Sequence, residues 1–568
     1  MSLPQPTDTP VAVPSAPSTT DLRGRWVWAA GILAIACIAQ GALWAMWWED
    51  PTHFAMSVLF VWPAAMFALA IWWTFFSGWS WRVRMGLVGA IAATVVGFFS
   101  LYRLEWDGGM VPRRFILRSK PTPEEVAREY RKQQLASASA TAEKKADVDD
   151  SETIAPVPLV ATEGDWPGFR GPLRDGIVRN GSLRRDWQSA PPKQIWRHPL
   201  GRAWSSFAVV GSHAFTQEQR DEFECVVAYD IETGSELWVH QNKTILSIVD
   251  ANGGPGPHAT PQFDEGFLYT LGGTGLLNCL DAATGKPFWS TNILKDAGDG
   301  KVAAANIEWG MTASPLISDN LVIVVPGGTA KEGTVAFDKG VAAYDKKSGQ
   351  LVWAAGKHQA SYGSPRLEDI GGTRQLLIPN GNGLSGHSLD GGKELWFFPL
   401  ENSPNVNASM PWLLDDGSLL FGTGYGVGSV RLDITGGNGS EWAAKQRWQT
   451  NRFRPKFNDF FVRDGHAYGL DDGTLACLDV ENGKVKWKSG RYGYGQMLLV
   501  DDIILIIAED GDLLLVPATP TKPETIATFK VFDSGFCWNH PVLVRGKLLV
   551  RNAAEAVCLD VVDAKKGD

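Results

Sequence analysis

VVAYDIETGSELW, residues 226–238, decides the fold, because the chain writes it again as LNCLDAATGKPFW (277–289), VAAYDKKSGQLVW (341–353) and LACLDVENGKVKW (475–487). Each copy sets a Gly four residues before a Trp and an Asp eight before it: Asp230, Gly234, Trp238; Asp281, Gly285, Trp289; Asp345, Gly349, Trp353; Asp479, Gly483, Trp487. A fifth copy, SGHSLDGGKELW (385–396), keeps Gly392 and Trp396 but has Ser388 in the Asp position. The apolar run predicts a strand with a buried face. The Asp-x-x-Thr/Ser/Asn-Gly step predicts a turn, the carboxylate accepting backbone N–H groups and Gly supplying positive φ. The chain then re-enters a strand that ends on Trp. A lone hairpin of this kind is marginal in water, so the copies are expected to stack. The motif Asp residues are read as turn staples, not as catalysts.

Trp448, in KQRWQT, fills the gap between Trp396 and Trp487, and Phe529, in IATFK, follows at the right distance. That makes seven outer-strand aromatics, but the last hairpin, 540–561, reaches the end of the chain without one. KQIWRHP (193–199) carries Trp196 in the same setting. Joined to the last sheet it removes an exposed edge and closes a ring. The expectation is an all-β propeller of eight blades, with a mean period of about 48 residues.

The repeat resembles the tryptophan-docking motif of the pyrroloquinoline-quinone (PQQ)-like repeat family of eight-bladed propellers. DWPGFRGPLRDGI (165–177) is similar to a segment that opens such propellers in bacterial envelope proteins. The resemblance covers about 165–568. It implies two kinds of relative: quinoprotein dehydrogenases, which use PQQ and Ca²⁺, and the propeller lipoprotein of the outer-membrane barrel-assembly machinery, a scaffold. Fold alone does not choose between them.

Ahead of the propeller lie three apolar stretches, about 26–48, 54–76 and 84–102, each of a length to cross a hydrocarbon core of about 30 Å. Eleven of the 25 Trp lie between Trp26 and Trp106, many at the ends of these stretches. Three transmembrane helices are therefore expected. Arg23, Arg25, Arg82 and Arg84 place the N-terminus in the cytoplasm and the propeller outside, on the periplasmic side of a bacterial inner membrane. Arg103, Arg113, Arg114 and Arg118, after the third stretch, run against that orientation. The expected organisation is a disordered tail (1–20), a membrane anchor (21–118), a short helix and flexible linker (119–163), and the propeller (164–568). TPEEVAREYRKQQLA (122–136) carries the capping box of that helix.

A net charge of −9 gives no basic field for nucleic acid. Cys279, Cys477 and Cys558 each stand two residues before Asp281, Asp479 and Asp560, a recurrent strand position that reads as small apolar packing.

Innermost strands of a propeller begin at the mouth of its central channel. Steps such as HATP (258–261), YGSP (362–365) and WNHP (538–541) mark those starts. Residues expected at the mouth include Trp204, His258, Glu308, Trp309, Tyr362, Asn407, Lys456, Tyr494, Trp538 and Asn539. If the resemblance extends to PQQ, Asn458, Asp459 and Glu308 are the candidate Ca²⁺ ligands. Asp459 or Glu308 would be the base, and Lys456, Trp309, Trp538, Asn539, His258 and Tyr362 would hold the cofactor. Solvated rim and turn positions carry the same residue types. In WPGFRGP Arg170 could bind a carboxylate, but the preferred reading is that Trp166 and Phe169 plug one face of the ring. The chain lacks the cysteine pair and CxxCH haem site found in many such dehydrogenases. The sequence therefore favours a binding or scaffold module with an envelope protein or polysaccharide partner. The alternative is a PQQ/Ca²⁺-dependent dehydrogenase oxidising an alcohol or sugar and passing electrons to membrane quinone.

Overall fold

The computed structural model describes residues 19–47, 51–106, 112–146, 159–179, 181–248, 253–298, 306–327, 339–437, 439–533 and 535–562. The expected tail, 1–20, lies almost wholly outside them, as does the linker stretch 147–158. The chain forms two compact units: residues 1–120 with 249–253, and 121–248 with 254–568.

The first unit has helices α1 (Thr19–Trp47), α2 (Pro51–Phe76) and α3 (Trp81–Leu101) and an antiparallel hairpin of β1 (Tyr102–Trp106) and β2 (Pro112–Leu117). Three helices are present, but the expectation of three spans is corrected to two candidates. Trp26–Met46 and Trp81–Leu101 are long and apolar enough to cross a membrane, whereas the apolar part of α2 covers only Phe60–Phe76 among the described residues. Arg84 donates to the Thr74 carbonyl at 2.6 Å and the Trp79 carbonyl at 2.6 Å, satisfying acceptors at and beyond the C-terminal turn of α2.

The second unit is the eight-bladed propeller. Its blades are antiparallel sheets of four strands at 208–243, 262–292, 316–355, 366–399, 412–450, 461–491, 496–530 and 542–560, the sheet at 496–530 adding residues 177–178 as a parallel fifth strand. The last of these has three strands of its own and takes β4 (Lys193–Pro199) as its fourth, in the register Cys558↔Trp196. The ring closure expected from Trp196 is found.

Each motif Trp docks on the turn of the next blade. Trp196, Trp238, Trp289 and Trp448 donate their indole N–H to the carbonyls of Ile231, Ala282, Lys346 and Val480, each the residue after a motif Asp. The ring lies under the motif Gly, so closely that a Cβ on Gly285 would meet Trp238 at 2.4 Å and one on Gly392 would meet Trp353 at 2.4 Å. Both glycines also have positive φ, 72° and 67°. The Asp carboxylates do what a turn requires: Asp230 accepts from the Thr233 N–H at 2.8 Å and Asp281 from the Thr284 N–H at 2.8 Å. Trp396 is the exception, donating within its own blade to Gln375 at 2.7 Å. Blade 5 has Asp433 and Gly437 at the motif spacing, but both lie within the strand Gly428–Gly437 and not in a turn.

Opposite the Trp a small residue stands at Ala228↔Trp238, Cys279↔Trp289, Ala343↔Trp353, Gly386↔Trp396 and Cys477↔Trp487, whereas blade 5 sets Arg431 opposite Trp448. The register shifts immediately after each of these pairs. The cysteines are free and buried, and burial pushes the Cys279 thiol up to about 12. The packing reading of Cys279, Cys477 and Cys558 therefore holds.

Helix α4 (Pro123–Ala146) starts with the expected capping box, Thr122 N–H to Glu125 at 2.7 Å and Glu125 N–H to Thr122 at 3.2 Å. It runs ten residues past the expected end at 136. Its first turns are docked: Ala127 is fully buried, and Tyr130 stacks on His198 of β4 at 5.5 Å.

Glu224, in blade 1, is an internal cost. It is 2% exposed, and one carboxylate oxygen accepts from Thr274 at 3.4 Å while the other has no partner among the described residues. Burial pushes its pKa up to about 7. A carboxyl raised in the folded state stabilises fully below its unfolded value, and that contribution is lost as pH rises through about 7. Stability of the native chain should fall between pH 5 and 8 by about 3 kcal/mol on this account. Denaturant unfolding of E224Q across that range should show the slope largely removed, and an unchanged slope would refute the assignment.

Candidate functional site

The opening segment of the propeller, residues 164–178, is a strap laid across the channel, pinned to the innermost strands of several blades. Trp166 exchanges backbone hydrogen bonds with Val209 at 2.9 and 2.7 Å, and the Phe263 N–H donates to Pro167 at 2.7 Å. Arg174 reaches the carbonyls of Pro315 at 2.8 Å and Ser314 at 3.1 Å. Strand β3 (Ile177–Val178) pairs in parallel with the inner strand of blade 7, at Leu499↔Ile177. The strap's backbone is thus satisfied by strand edges that would otherwise face the channel. The plug reading of WPGFRGP agrees with this geometry.

Arg170 is the centre of the strap, 4% exposed. It donates to the Asp175 carbonyl at 2.7 Å and the Phe460 carbonyl at 3.1 Å, and its Nε lies 3.5 Å from the Asp459 carboxylate. Asp459 also accepts from the Met410 N–H at 2.7 Å and lies 3.6 Å from His540 Nε2. Burial alone would push the Asp459 carboxyl up; the Arg170 guanidinium and His540 hold it below the ordinary aspartate value. The residue singled out as base and Ca²⁺ ligand is thus engaged in an interior ion pair. Asn458 beside it donates to the Gly495 carbonyl, and Asn539 to the Ser205 carbonyl at 2.8 Å. Asn407 spans to the Asn380 carbonyl at 2.7 Å. Burial pushes His258 down to about 4, leaving it neutral.

Above this buried layer the remaining candidates meet at the mouth. Trp204 and Trp538 lie with ring centroids 4.6 Å apart, Trp538 and Phe457 5.2 Å, and Phe457 and Tyr494 4.8 Å. Lys456 donates to the Tyr494 hydroxyl at 3.1 Å, with its ammonium 4.5 Å from that ring and 5.1 Å from the Tyr425 ring. Across the opening Trp309 meets Tyr362 at 5.4 Å, and burial pushes the Tyr362 hydroxyl up to about 12. Three carboxylates hold or flank these rings. Glu509 accepts from the Trp538 indole at 2.6 Å, Asp472 accepts from the Tyr494 hydroxyl at 2.9 Å, and Glu308 stands exposed beside Tyr362 and Tyr425. The arc is aromatic, partly exposed and preset by hydrogen bonds.

Tyr425, Asp472 and Glu509 were not expected at the mouth. They sit on hairpins joining the second and third strands of blades 5, 6 and 7. An antiparallel blade returns its second strand to the end where its first began, so these hairpins share the mouth with the inner-strand starts. That alternation was the available signal.

The residues present do not fit a Ca²⁺–PQQ site. Asp459 is occupied by Arg170, and no three His, Cys, Asp or Glu side chains converge as a metal site among the described residues. A tricarboxylate would also face Glu308, Asp472 and Glu509 with Lys456 as the neighbouring cation.

Residues 222–489 match the family model described as outer membrane protein assembly factor BamB. No curated protein matches. Among solved structures, BamB from Moraxella catarrhalis is 15% identical over 65% of this chain and 97% of its own, with a TM-score of 0.46. The quinohemoprotein alcohol dehydrogenase ADHIIG from Pseudomonas putida HK5 is 13% identical over 71% of this chain and 81% of its own, with a TM-score of 0.50. At 13% identity the likeness to the dehydrogenase is one of fold alone. The Trp docking, the bulged Trp strands and the ring closed by β4 make this domain an eight-bladed β-propeller, similar over 222–489 to that family model.

Proposed function

We propose that this chain is a membrane-held binding module of the bacterial cell envelope, whose propeller engages an envelope protein or polysaccharide through its channel mouth. The observation that carries the reading is the preset arc from Trp204 through Trp538, Phe457 and Tyr494 to Lys456, a concave aromatic surface with convergent polar groups. Anchoring in the inner membrane rests on α1 and α3; α3 has no buried side chain, so its apolar surface calls for a lipid solvent. With the N-terminus assigned to the cytoplasm from Arg23, Arg25, Arg82 and Arg84, a propeller on the periplasmic side requires α2 to cross the membrane together with α1 and α3.

The Arg170–Asp459 pair weighs against the alternative, a PQQ/Ca²⁺-dependent dehydrogenase. Calorimetric titration of the full-length chain in detergent with PQQ and Ca²⁺ tests the choice. No Ca²⁺-dependent heat is expected. Submicromolar, Ca²⁺-dependent binding that K456A or N458A weakens would reverse the reading.

A further inference from the structure

We infer that the mouth takes an uncharged glycan chain, a proposal that rests on the binding role above and names its ligand class. Charge does the selecting. A cationic ligand would seek an aromatic cage, but the cage between Tyr425 and Tyr494 already holds the Lys456 ammonium, at 5.1 and 4.5 Å. An anionic ligand would meet Glu308 at the rim, Asp472 behind Tyr494 and Glu509 behind Trp538. Each ligand charge is thus opposed by a like charge in the site, and a neutral polyol is not.

The remaining chemistry suits a sugar. Pyranose rings present apolar C–H faces that stack on aromatic rings, and hydroxyls that donate to carboxylates and accept from ammonium groups. Trp204 and Trp538 lie 34° apart in plane with centroids 4.6 Å apart, and Phe457 continues the surface at 5.2 Å. This length of surface fits several linked residues better than one. The platform is rigid before the ligand arrives: the Trp538 indole is fixed by Glu509 at 2.6 Å, and the Tyr494 hydroxyl lies between Lys456 at 3.1 Å and Asp472 at 2.9 Å. Stacking on preset rings costs little side-chain entropy, which is the physical requirement for binding a flexible, strongly hydrated chain. Below the platform the strap closes the channel, with Phe169 against His540 at 4.9 Å, so the chain lies across the mouth instead of threading it.

The test titrates the full-length chain in detergent with three probes of equal length, chitohexaose (neutral), hexagalacturonate (anionic) and hexalysine (cationic), read by tryptophan fluorescence and calorimetry. Saturable quenching by chitohexaose alone is expected, with affinity reduced about tenfold or more in W538A. Y425A, at a rim position 36% exposed, keeps the proposal testable should W538A fold poorly, and a loss of affinity is expected there too. Absence of chitohexaose binding overturns the inference, as does tighter binding of hexagalacturonate or unaltered chitohexaose binding in both variants. Hexalysine binding that depends on Trp538 overturns the glycan class and leaves the mouth as a protein-binding site. Binding of PQQ with Ca²⁺ in the preceding titration would instead bring down the binding role itself.

Discussion

Replacing Arg170 with Ala is expected to destabilise the propeller by about 3–5 kcal/mol, because it strips a buried carboxylate of its cation. Asp459 is 5% exposed, and after the change it would retain the Met410 N–H at 2.7 Å and a neutral His540 at 3.6 Å. The carbonyls of Asp175 and Phe460 would lose their donor as well. The pair itself need not be a large net stabiliser; breaking one side is what costs. D459N in the R170A background should therefore recover a substantial part of the loss, which urea unfolding of the single and double variants measures. Acid titration adds a sign. The native Asp459 pKa is depressed, so its stabilisation is present above the unfolded aspartate value and lost as pH falls through the folded one. In R170A burial is no longer opposed by the guanidinium, and acidification from pH 6 to 4 should raise stability relative to the native chain. Equal acid profiles in the two proteins would refute the pair.

Those two residues also mark where the sequence stops being readable. Blade number, Trp docking and the closing strand were legible because they are local or repeated. Gly four before Trp appears at Gly234, Gly285, Gly349, Gly392 and Gly483, and the missing eighth aromatic pointed to Trp196. The PGFRG turn was legible as a plug for the same reason. The partner of Arg170 was not, since Asp459 lies 289 residues away and no local pattern couples them. Asp459 looked like a site residue because it stands just before an inner strand, Phe461–Arg463. One or two positions along the segment leading into that strand separate the open mouth, at Lys456 and Phe457, from the sealed layer at Asn458 and Asp459. Alternation along an inner strand cannot by itself say where the channel closes, because closure comes from the strap. Helix α4 was legible at its capping box but not in its docking, which depends on Tyr130 finding the His198 ring on β4.

The second large effect is expected at the seam. Trp196→Ala should cost about 3–5 kcal/mol, the range for truncating a buried aromatic. Trp196 is 8% exposed, and its indole N–H donates to the Ile231 carbonyl at 2.8 Å. Its ring lies where a Cβ on Gly234 would meet it at 2.7 Å, and it stacks on His198 at 4.8 Å. Trp487→Ala removes an equivalent ring, 7% exposed and bonded to the Thr519 carbonyl at 3.0 Å, and should cost a similar amount. The two variants should nevertheless fail differently. Trp487 lies in a strand joined to the rest of blade 6 by its own hairpin, so its loss leaves the ladder covalently closed. Trp196 belongs to β4, which reaches blade 8 only through its pairing with Glu555–Asp560 and contacts such as Arg197 with Glu555 at 3.6 Å. Once β4 loosens, an unpaired edge at 555–560 is exposed, and such edges recruit other chains. Hydrogen exchange in W196A should therefore accelerate along both β4 and 555–560, with concentration-dependent association above that of W487A. Exchange confined to the immediate neighbours of residue 196 would show that the Arg551 side chain, which crosses to Thr216 at 2.9 Å and the Gly201 carbonyl at 3.2 Å, holds the ring shut without it.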